Sequence, residues 1–193
     1  MKASDWTERY QERKTGWDLG DSPHPIEPFI RRLPPRQNIL IPGCGRGYEI
    51  AAFTQAGHLV TAIDYSEGAI EAARQVIGHL ADAIICEDFF TSTRLAENYF
   101  DVCYERTFLC ALPAALRVSY GKRIASLLRS SGVLAGVFLY GPPTEDGPPY
   151  PMDATVRETV VDPYFALVSD EDRSSGLPVF SRWQERWQVW HKR

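Results

Sequence analysis

The stretch Asn38-Ile39-Leu40-Ile41-Pro42-Gly43-Cys44-Gly45-Arg46-Gly47, followed by a helix-period segment and then Leu59-Val60-Thr61-Ala62-Ile63-Asp64, decides the fold. Two short apolar runs rich in β-branched residues flank a glycine cluster and a segment of helical periodicity, which is the order of a β-loop-α-β unit. Glycines after a buried strand let the backbone approach a ligand closely, and the helix that follows presents N–H groups without intrahelical partners. The second run closes on Asp64, about 20 positions beyond Gly43, where a doubly wound fold places an acid to accept from ribose hydroxyls. The unit reads as half of an adenosine-binding fold.

Glycine spacing narrows the ligand. The dinucleotide fingerprint is G-x-G-x-x-G, whereas Gly43, Gly45 and Gly47 form G-x-G-x-G, with the third glycine too early for a pyrophosphate. S-adenosylmethionine fits instead, its amino-acid end against the loop at Gly43 and its ribose on Asp64. The alternative is a tight strand-to-helix turn that holds no ligand, because a short motif alone is a hypothesis.

With 193 residues, 44% of them hydrophobic, the chain can bury a core without metals or disulfides. A single domain over residues 1–193 is expected, with an aromatic N-terminal arm in 1–36 and a catalytic core in 37–193. The net charge of −4 offers no basic field for nucleic acid or an anionic membrane, so the expected partner is a small-molecule acceptor. Oligomeric state stays open, a monomer being compatible. No apolar run approaches the ~20 residues of a membrane span, and Met1 to Trp6 lacks the apolar core of a signal peptide, so a cytoplasmic protein is expected. Cys44, Cys86, Cys103 and Cys110 include no C-x-x-C pair and mostly fall in apolar strand segments, which predicts reduced thiols and no metal centre.

Upstream of the deciding stretch, Ser4 is placed to cap a polar helix carrying Trp6, Tyr10 and Arg13 at helical spacing and ending before Gly16. Ile26 to Leu33 predicts a second short helix before Pro34-Pro35. Trp6, Tyr10 and Trp17 either dock this arm on the core or cover a ligand. Downstream, Ser66 caps a helix ending near Gly78, and Ala83-Ile84-Ile85-Cys86 reads as a third strand leading into Glu87-Asp88-Phe89-Phe90. This is the carboxyl edge of a doubly wound sheet, where Asp88 suits an adenine amino group and Phe89 its ring. The alternative is an exposed acidic turn above buried phenylalanines.

A fourth strand, Tyr99 to Tyr104, delivers Arg106 to the same edge. Pro113 opens a long helix through Leu116, Tyr120, Ile124, Leu127 and Leu128, and Ser131-Gly132 turns into a fifth strand, Val133 to Tyr140. Five alternations imply right-handed crossovers and a parallel sheet covered on both faces. The proline-rich run from Gly141 to Pro151 is a stiff loop, with Tyr150 in the wall of a pocket. A short helix around Val156 to Val161 precedes a strand from Phe165 to Val168 and a last segment, Val179 to His191. There Trp183, Trp187 and Trp190 fit a helix face, but alternation and hairpin closure favour a strand. The expected fold is α/β and doubly wound, a mostly parallel seven-stranded sheet with an antiparallel C-terminal strand.

Several of these stretches resemble the thiopurine and thiol S-methyltransferase superfamily, which includes plant halide and thiocyanate methyltransferases. They are Trp6, Tyr10 and Trp17-Asp18, then Ile41-Pro42-Gly43-Cys44-Gly45, then Asp64-Tyr65-Ser66-Glu67 and Glu87-Asp88-Phe89-Phe90, and finally Tyr104-Glu105-Arg106-Thr107-Phe108-Leu109-Cys110-Ala111-Leu112 and Gly147-Pro148-Pro149-Tyr150. The resemblance implies a Rossmann-like class I methyltransferase fold. It implies that Trp6, Tyr10 and Trp17 fold over the cofactor, that Gly43 meets its methionine moiety, Asp64 its ribose, and Asp88 with Phe89 its adenine. Arg106 matches an arginine of the thiopurine branch, where the halide and thiocyanate branch commonly has tyrosine. The glycine loop is closer to the plant branch, so the branch stays open.

A sulfonium carries its own neutral leaving group, so methyl transfer needs alignment, exclusion of water and a deprotonated acceptor, all of which positioning and electrostatics supply. Arg106 is the candidate catalytic residue and also a cofactor and acceptor contact, since a guanidinium favours a thiolate over its thiol. The alternative is a surface ion pair with Glu105 or another acid. A small thiol or sulfide is the expected acceptor, with halide or thiocyanate as an alternative. An O- or N-methyltransferase would need a base, for which His24 is the candidate among the four histidines; His58, His79 and His191 look structural or exposed. A sensing domain would bind S-adenosylmethionine and close no acceptor pocket.

Overall fold

A computed structural model of the protein describes residues 1–23 and 26–193, which divide into two compact units, residues 1–93 and 94–193. The first unit contains α1 (Ala3–Gln11), α2 (Ile26–Ile30), β1 (Asn38–Pro42), α3 (Tyr48–Gln55), β2 (Leu59–Ile63) and α4 (Glu67–Ile77). β1 and β2 pair in parallel, Ile39 opposite Val60 and Ile41 opposite Ala62. Ile39, Leu40, Phe53 and Ile63 are fully buried around them. The Ser66 hydroxyl caps α4 by accepting from the Ala69 N–H at 3.1 Å. The α4 face made of Ala69, Ile70, Ala72 and Ala73 is buried.

Three expectations change in this unit. The cap of α1 is not Ser4: the helix starts at Ala3 with Lys2 in the cap position, and Asp5 in its first turn accepts the Lys2 N–H at 2.7 Å, serving the helix end from inside. Arg13 lies beyond the last helical residue with φ of 58°, so it leaves the face shared by Trp6 and Tyr10. The third strand shrinks to one bridge, Ile63 with Ile85. A 3-10 turn over Gly78–Ala83 runs up to it, and beyond it the Asp88 carboxylate draws in the Phe90 N–H at 2.8 Å. Between these two turns no more than one residue can pair.

The second unit contains β3 (Phe100–Arg106), α5 (Ala114–Leu127), β4 (Leu128–Tyr140), the short α6 (Ala154–Val156) continued by a π-turn, β5 (Phe165–Arg173) and β6 (Gln184–Lys192). Its strands lie in the order β3-β4-β6-β5. β3 and β4 are parallel, while β6 runs antiparallel to both its neighbours, so the sheet is mixed. The antiparallel C-terminal strand was expected; the total is not, since the described residues form six strands rather than seven. The lost one is the bridge at Ile85. On α5, Leu116 is 39% exposed and Arg117 is buried in its stead, while Leu128 already belongs to β4. The last segment is a strand whose Trp187 and Trp190 point to opposite faces and are both buried. Trp190 meets Phe138 edge-on and carries Arg157 over its ring, and Trp187 lies by Tyr104. Burial on both faces is why its periodicity also fitted a helix.

Candidate active site

In the first unit, Gly43, Gly45 and Gly47 all take left-handed backbone angles, φ 59°, 53° and 73°, so the loop turns off β1 in a conformation that side chains disfavour. Asp64 stands at the end of β2. Its Oδ2 accepts the Gly45 N–H at 3.0 Å and its Oδ1 the Ser66 N–H at 2.9 Å, which ties the loop to the start of α4. Burial pushes the Asp64 carboxyl up, and these backbone bonds pull it back down. A carboxylate has about four acceptor positions, so capacity remains for hydroxyl donors.

The aromatic arm lies on this loop. A Cβ on Gly45 would stand 2.7 Å from the Tyr10 hydroxyl, so the loop glycine is what admits the tyrosine. Trp17 packs edge-on against Trp6 at 5.3 Å and against Tyr10 at 6.0 Å between ring centres. Burial raises the Tyr10 hydroxyl far above its usual range, with the Asp64 charge adding to the shift. Polar contacts fasten the arm as well: Asp18 Oδ2 pairs with Arg46 Nε at 2.5 Å, with both side chains about four-fifths covered. The Tyr48 hydroxyl bonds to the same Asp18. Thr7 and Ser66 share a hydroxyl bond of 3.1 Å, and the Gly68 N–H reaches the Thr7 hydroxyl at 3.3 Å. A Cβ at Gly68 would lie 2.8 Å from the Thr7 carbonyl, so α1 and α4 approach through a glycine.

Asp88 follows the Ile85 bridge, and the Asp64 N–H donates to the Ile85 carbonyl at 3.1 Å. The Asp88 Oδ1 accepts from the Phe90 and Thr91 N–H groups, an Asx turn. Phe89 is a core ring, 4% exposed and edge-on to Phe90.

In the second unit, β3 ends in Glu105 and Arg106. Glu105 is 1% exposed. Its Oε1 accepts from the Phe108 and Leu109 N–H groups at 2.9 and 3.0 Å, and its Oε2 from the Tyr120 hydroxyl at 2.7 Å. Burial pushes this carboxyl up to about 7 against the pull of those three bonds. Arg106, next along the strand and half-buried, faces the other side. Tyr150 is held by its N–H to the Cys110 carbonyl at 2.6 Å and by Arg117, whose guanidinium lies 5.1 Å from the ring centre. Glu105, Cys110, Arg117 and Tyr150 border a cavity of about 10 Å³, room for one water and no acceptor.

Trp6, Tyr10, Trp17, Gly43 and Asp64 therefore share one locality of the first unit, with Asp88 and Phe89 a bridge away, and Arg106 and Tyr150 flank one turn of the second. His24 lies outside the described residues. Sequence reasoning missed the Asp18–Arg46 pair and the inward turn of Glu105. No periodicity links positions so far apart as 18 and 46; the strand alternation through Cys103 and Glu105 was the available signal for the second.

The thiopurine S-methyltransferase family model matches residues 1–193. Among curated proteins, thiocyanate methyltransferase 1 of Arabidopsis thaliana is 30% identical over 182 residues, covering 90% of this chain and 78% of the relative. Probable thiol methyltransferase 2 of the same plant is 29% identical over 193 residues, with 93% and 84% covered. Among solved structures, the 1,6-didemethyltoxoflavin-N1-methyltransferase of Burkholderia thailandensis, with bound 1,6-didemethyltoxoflavin and S-adenosylhomocysteine, superposes with a TM-score of 0.74 at 18% identity, covering 98% of this chain and 86% of that one. At that identity the likeness is one of fold.

Proposed function

We propose, from the premise that this chain belongs to the thiopurine S-methyltransferase family, that it methylates the sulfur of a small thiol or sulfide. It is an S-adenosylmethionine-dependent methyltransferase with the α/β class I fold of such enzymes. The observation that carries the reading is the joint between Asp64 and Gly45: one carboxylate binds the glycine loop and keeps acceptor capacity beside it, under the aromatic arm. That cradle fits the cofactor, with Gly43 and Gly45 toward its amino-acid end, Asp64 for the ribose hydroxyls, and Asp88 and Phe89 for the adenine. Trp6, Tyr10 and Trp17 exclude water from above. When bound, the cofactor supplies an activated methyl group on a cationic sulfur, and the chain's own work is to hold, orient and shield it.

Arg106 and Tyr150 line the acceptor side in this reading, with Arg106 favouring an anionic nucleophile. A general base is not required of a thiol, whose ordinary pKa near ~8.5 leaves an attacking thiolate within reach at neutral pH. Glu105 has a basicity suited to such a role but not the access: its oxygens are spent on Tyr120, Phe108 and Leu109 inside the unit. The relative named for thiocyanate keeps a second acceptor class in play, against which the arginine at position 106 weighs. The deciding experiment is methyl transfer to benzenethiol, aliphatic thiols, hydrosulfide, iodide, thiocyanate and catechol in parallel. A thiol or hydrosulfide should react fastest. Iodide in first place overturns the sulfur assignment, thiocyanate in first place overturns the thiol or sulfide acceptor, and catechol in first place overturns the base-free chemistry.

A further inference from the structure

The buried carboxylate of Glu105 has a consequence for the acceptor side that its lack of access to a substrate does not remove. Directly after Arg106, Thr107 takes a left-handed backbone angle, φ 59°, a costly conformation for a β-branched residue. The Thr107 hydroxyl donates to the Arg106 carbonyl at 2.7 Å. The chain then enters a 3-10 turn, Leu109–Ala111, whose leading N–H groups are those of Phe108 and Leu109 that Glu105 accepts. Within this turn the Cys110 carbonyl takes the Tyr150 N–H, and just beyond it Arg117 donates to the Leu112 and Pro151 carbonyls at 2.8 and 3.4 Å. The Tyr120 hydroxyl on α5 closes the arrangement on the second carboxylate oxygen.

We propose that Glu105 is the positioning residue of the acceptor pocket: with Tyr120 it pins the strained turn at 107–112, and that turn sets Arg106 at one end and Tyr150 at the other. This rests on the reading of Arg106 and Tyr150 as acceptor contacts. The physical case is that one carboxylate satisfies two backbone donors and a phenol that would otherwise be buried without partners, so the turn has no low-cost alternative while Glu105 is in place. Tyr150 hangs from the Cys110 carbonyl and, through its ring, from the Arg117 guanidinium, both of which the turn positions. Acceptor binding therefore depends on a residue that never meets the acceptor.

Steady-state kinetics with benzenethiol, or whichever of the acceptors above reacts fastest, tests this together with calorimetry of S-adenosylhomocysteine. Glu105→Leu should raise the acceptor KM by about tenfold or more while the S-adenosylhomocysteine Kd stays within about twofold, and should speed amide exchange at Tyr150. Glu105→Gln keeps an oxygen for the two backbone amides and should stay within about threefold of the parent. A folded Glu105→Leu with unchanged acceptor KM, or one whose KM and Kd rise together, overturns the proposal. Should Glu105→Leu fail to fold by circular dichroism, Tyr120→Phe decides, with about a threefold rise in acceptor KM at constant Kd expected and no rise refuting. Arg106→Ala and Tyr150→Ala separate the two levels. If neither moves the acceptor KM the pocket reading itself falls, whereas if they move it and the Glu105 variants do not, only the positioning role is lost.

Discussion

Asp64 accepts two backbone N–H groups in a site where burial disfavours its charge, so its ionised form is held by bonds that also set the loop. Replacing it with alanine removes the proposed ribose acceptor and leaves the Gly45 and Ser66 donors without their partner. Asp64→Ala should weaken S-adenosylhomocysteine binding by about 1–3 kcal/mol in calorimetry, the range for charged hydrogen bonds; a folded variant of unchanged affinity would take Asp64 out of the site. Glu105, whose carboxyl burial likewise pushes up, makes a prediction about pH. Its folded carboxyl, at about 7, lies above its value in the unfolded chain, so the folded state holds the proton more tightly. Stability owed to this group is full below the unfolded value near ~4.5, falls as pH rises toward 7, and is flat beyond. Urea midpoints across that window should fall with pH in the parent and fall less steeply in Glu105→Gln. Parallel curves for the two proteins would mean Glu105 titrates elsewhere.

Helix α5 and the N-terminal arm show how single contacts govern whole elements. In a solvent-facing helix interior, Gly→Ala ordinarily stabilises by about 0.5–1 kcal/mol. At Gly121 the sign reverses, because a Cβ there would stand 1.8 Å from the Val160 carbonyl oxygen in the π-turn behind α6. Gly121→Ala should destabilise by about 1–3 kcal/mol in chemical denaturation, the cost of overpacking. A neutral or stabilising result would mean α5 and the π-turn can separate freely. For the arm, none of α1 is fully buried, and the Asp18–Arg46 pair with the Thr7–Ser66 bond holds it down. Such a partly covered ion pair is worth about 1 kcal/mol at most. Arg46→Ala should thus let protease cut within residues 1–20 up to about fivefold faster, and S-adenosylhomocysteine should slow the cutting in both proteins. Equal rates with and without ligand would end the idea of the arm as a cover.

At the scale of the whole molecule, ligand binding to the folded state alone must raise its stability by mass action. S-adenosylhomocysteine at about 100 times its Kd should contribute about 2.7 kcal/mol. For a chain of this length that moves the melting temperature by roughly 5–10 °C, while NAD at the same concentration should leave it in place. A larger shift with NAD would return the glycine loop to the dinucleotide class. None of the helices among the described residues is long and apolar enough to cross a membrane.

Local patterns in the chain were enough for most elements and for the residues that gather at the glycine loop. The glycine loop, the strand ending in Asp64, the Ser66 cap and the closing hairpin are each set by neighbours within a few residues, where periodicity, capping chemistry and backbone freedom act directly. Tertiary structure decided what depends on competition between distant groups. The segment around Ile85 has strand composition, yet the turns on either side leave it one pairing residue. Glu105 resembles a surface partner for Arg106 by adjacency, yet strand alternation and the donors at Phe108, Leu109 and Tyr120 draw it inward. Asp18 finds Arg46 because α1 and the loop approach through Gly45, a contact no local pattern carries. Backbone preference acts over a few residues and can be read along the chain, whereas burial and charge pairing are settled only when distant segments meet.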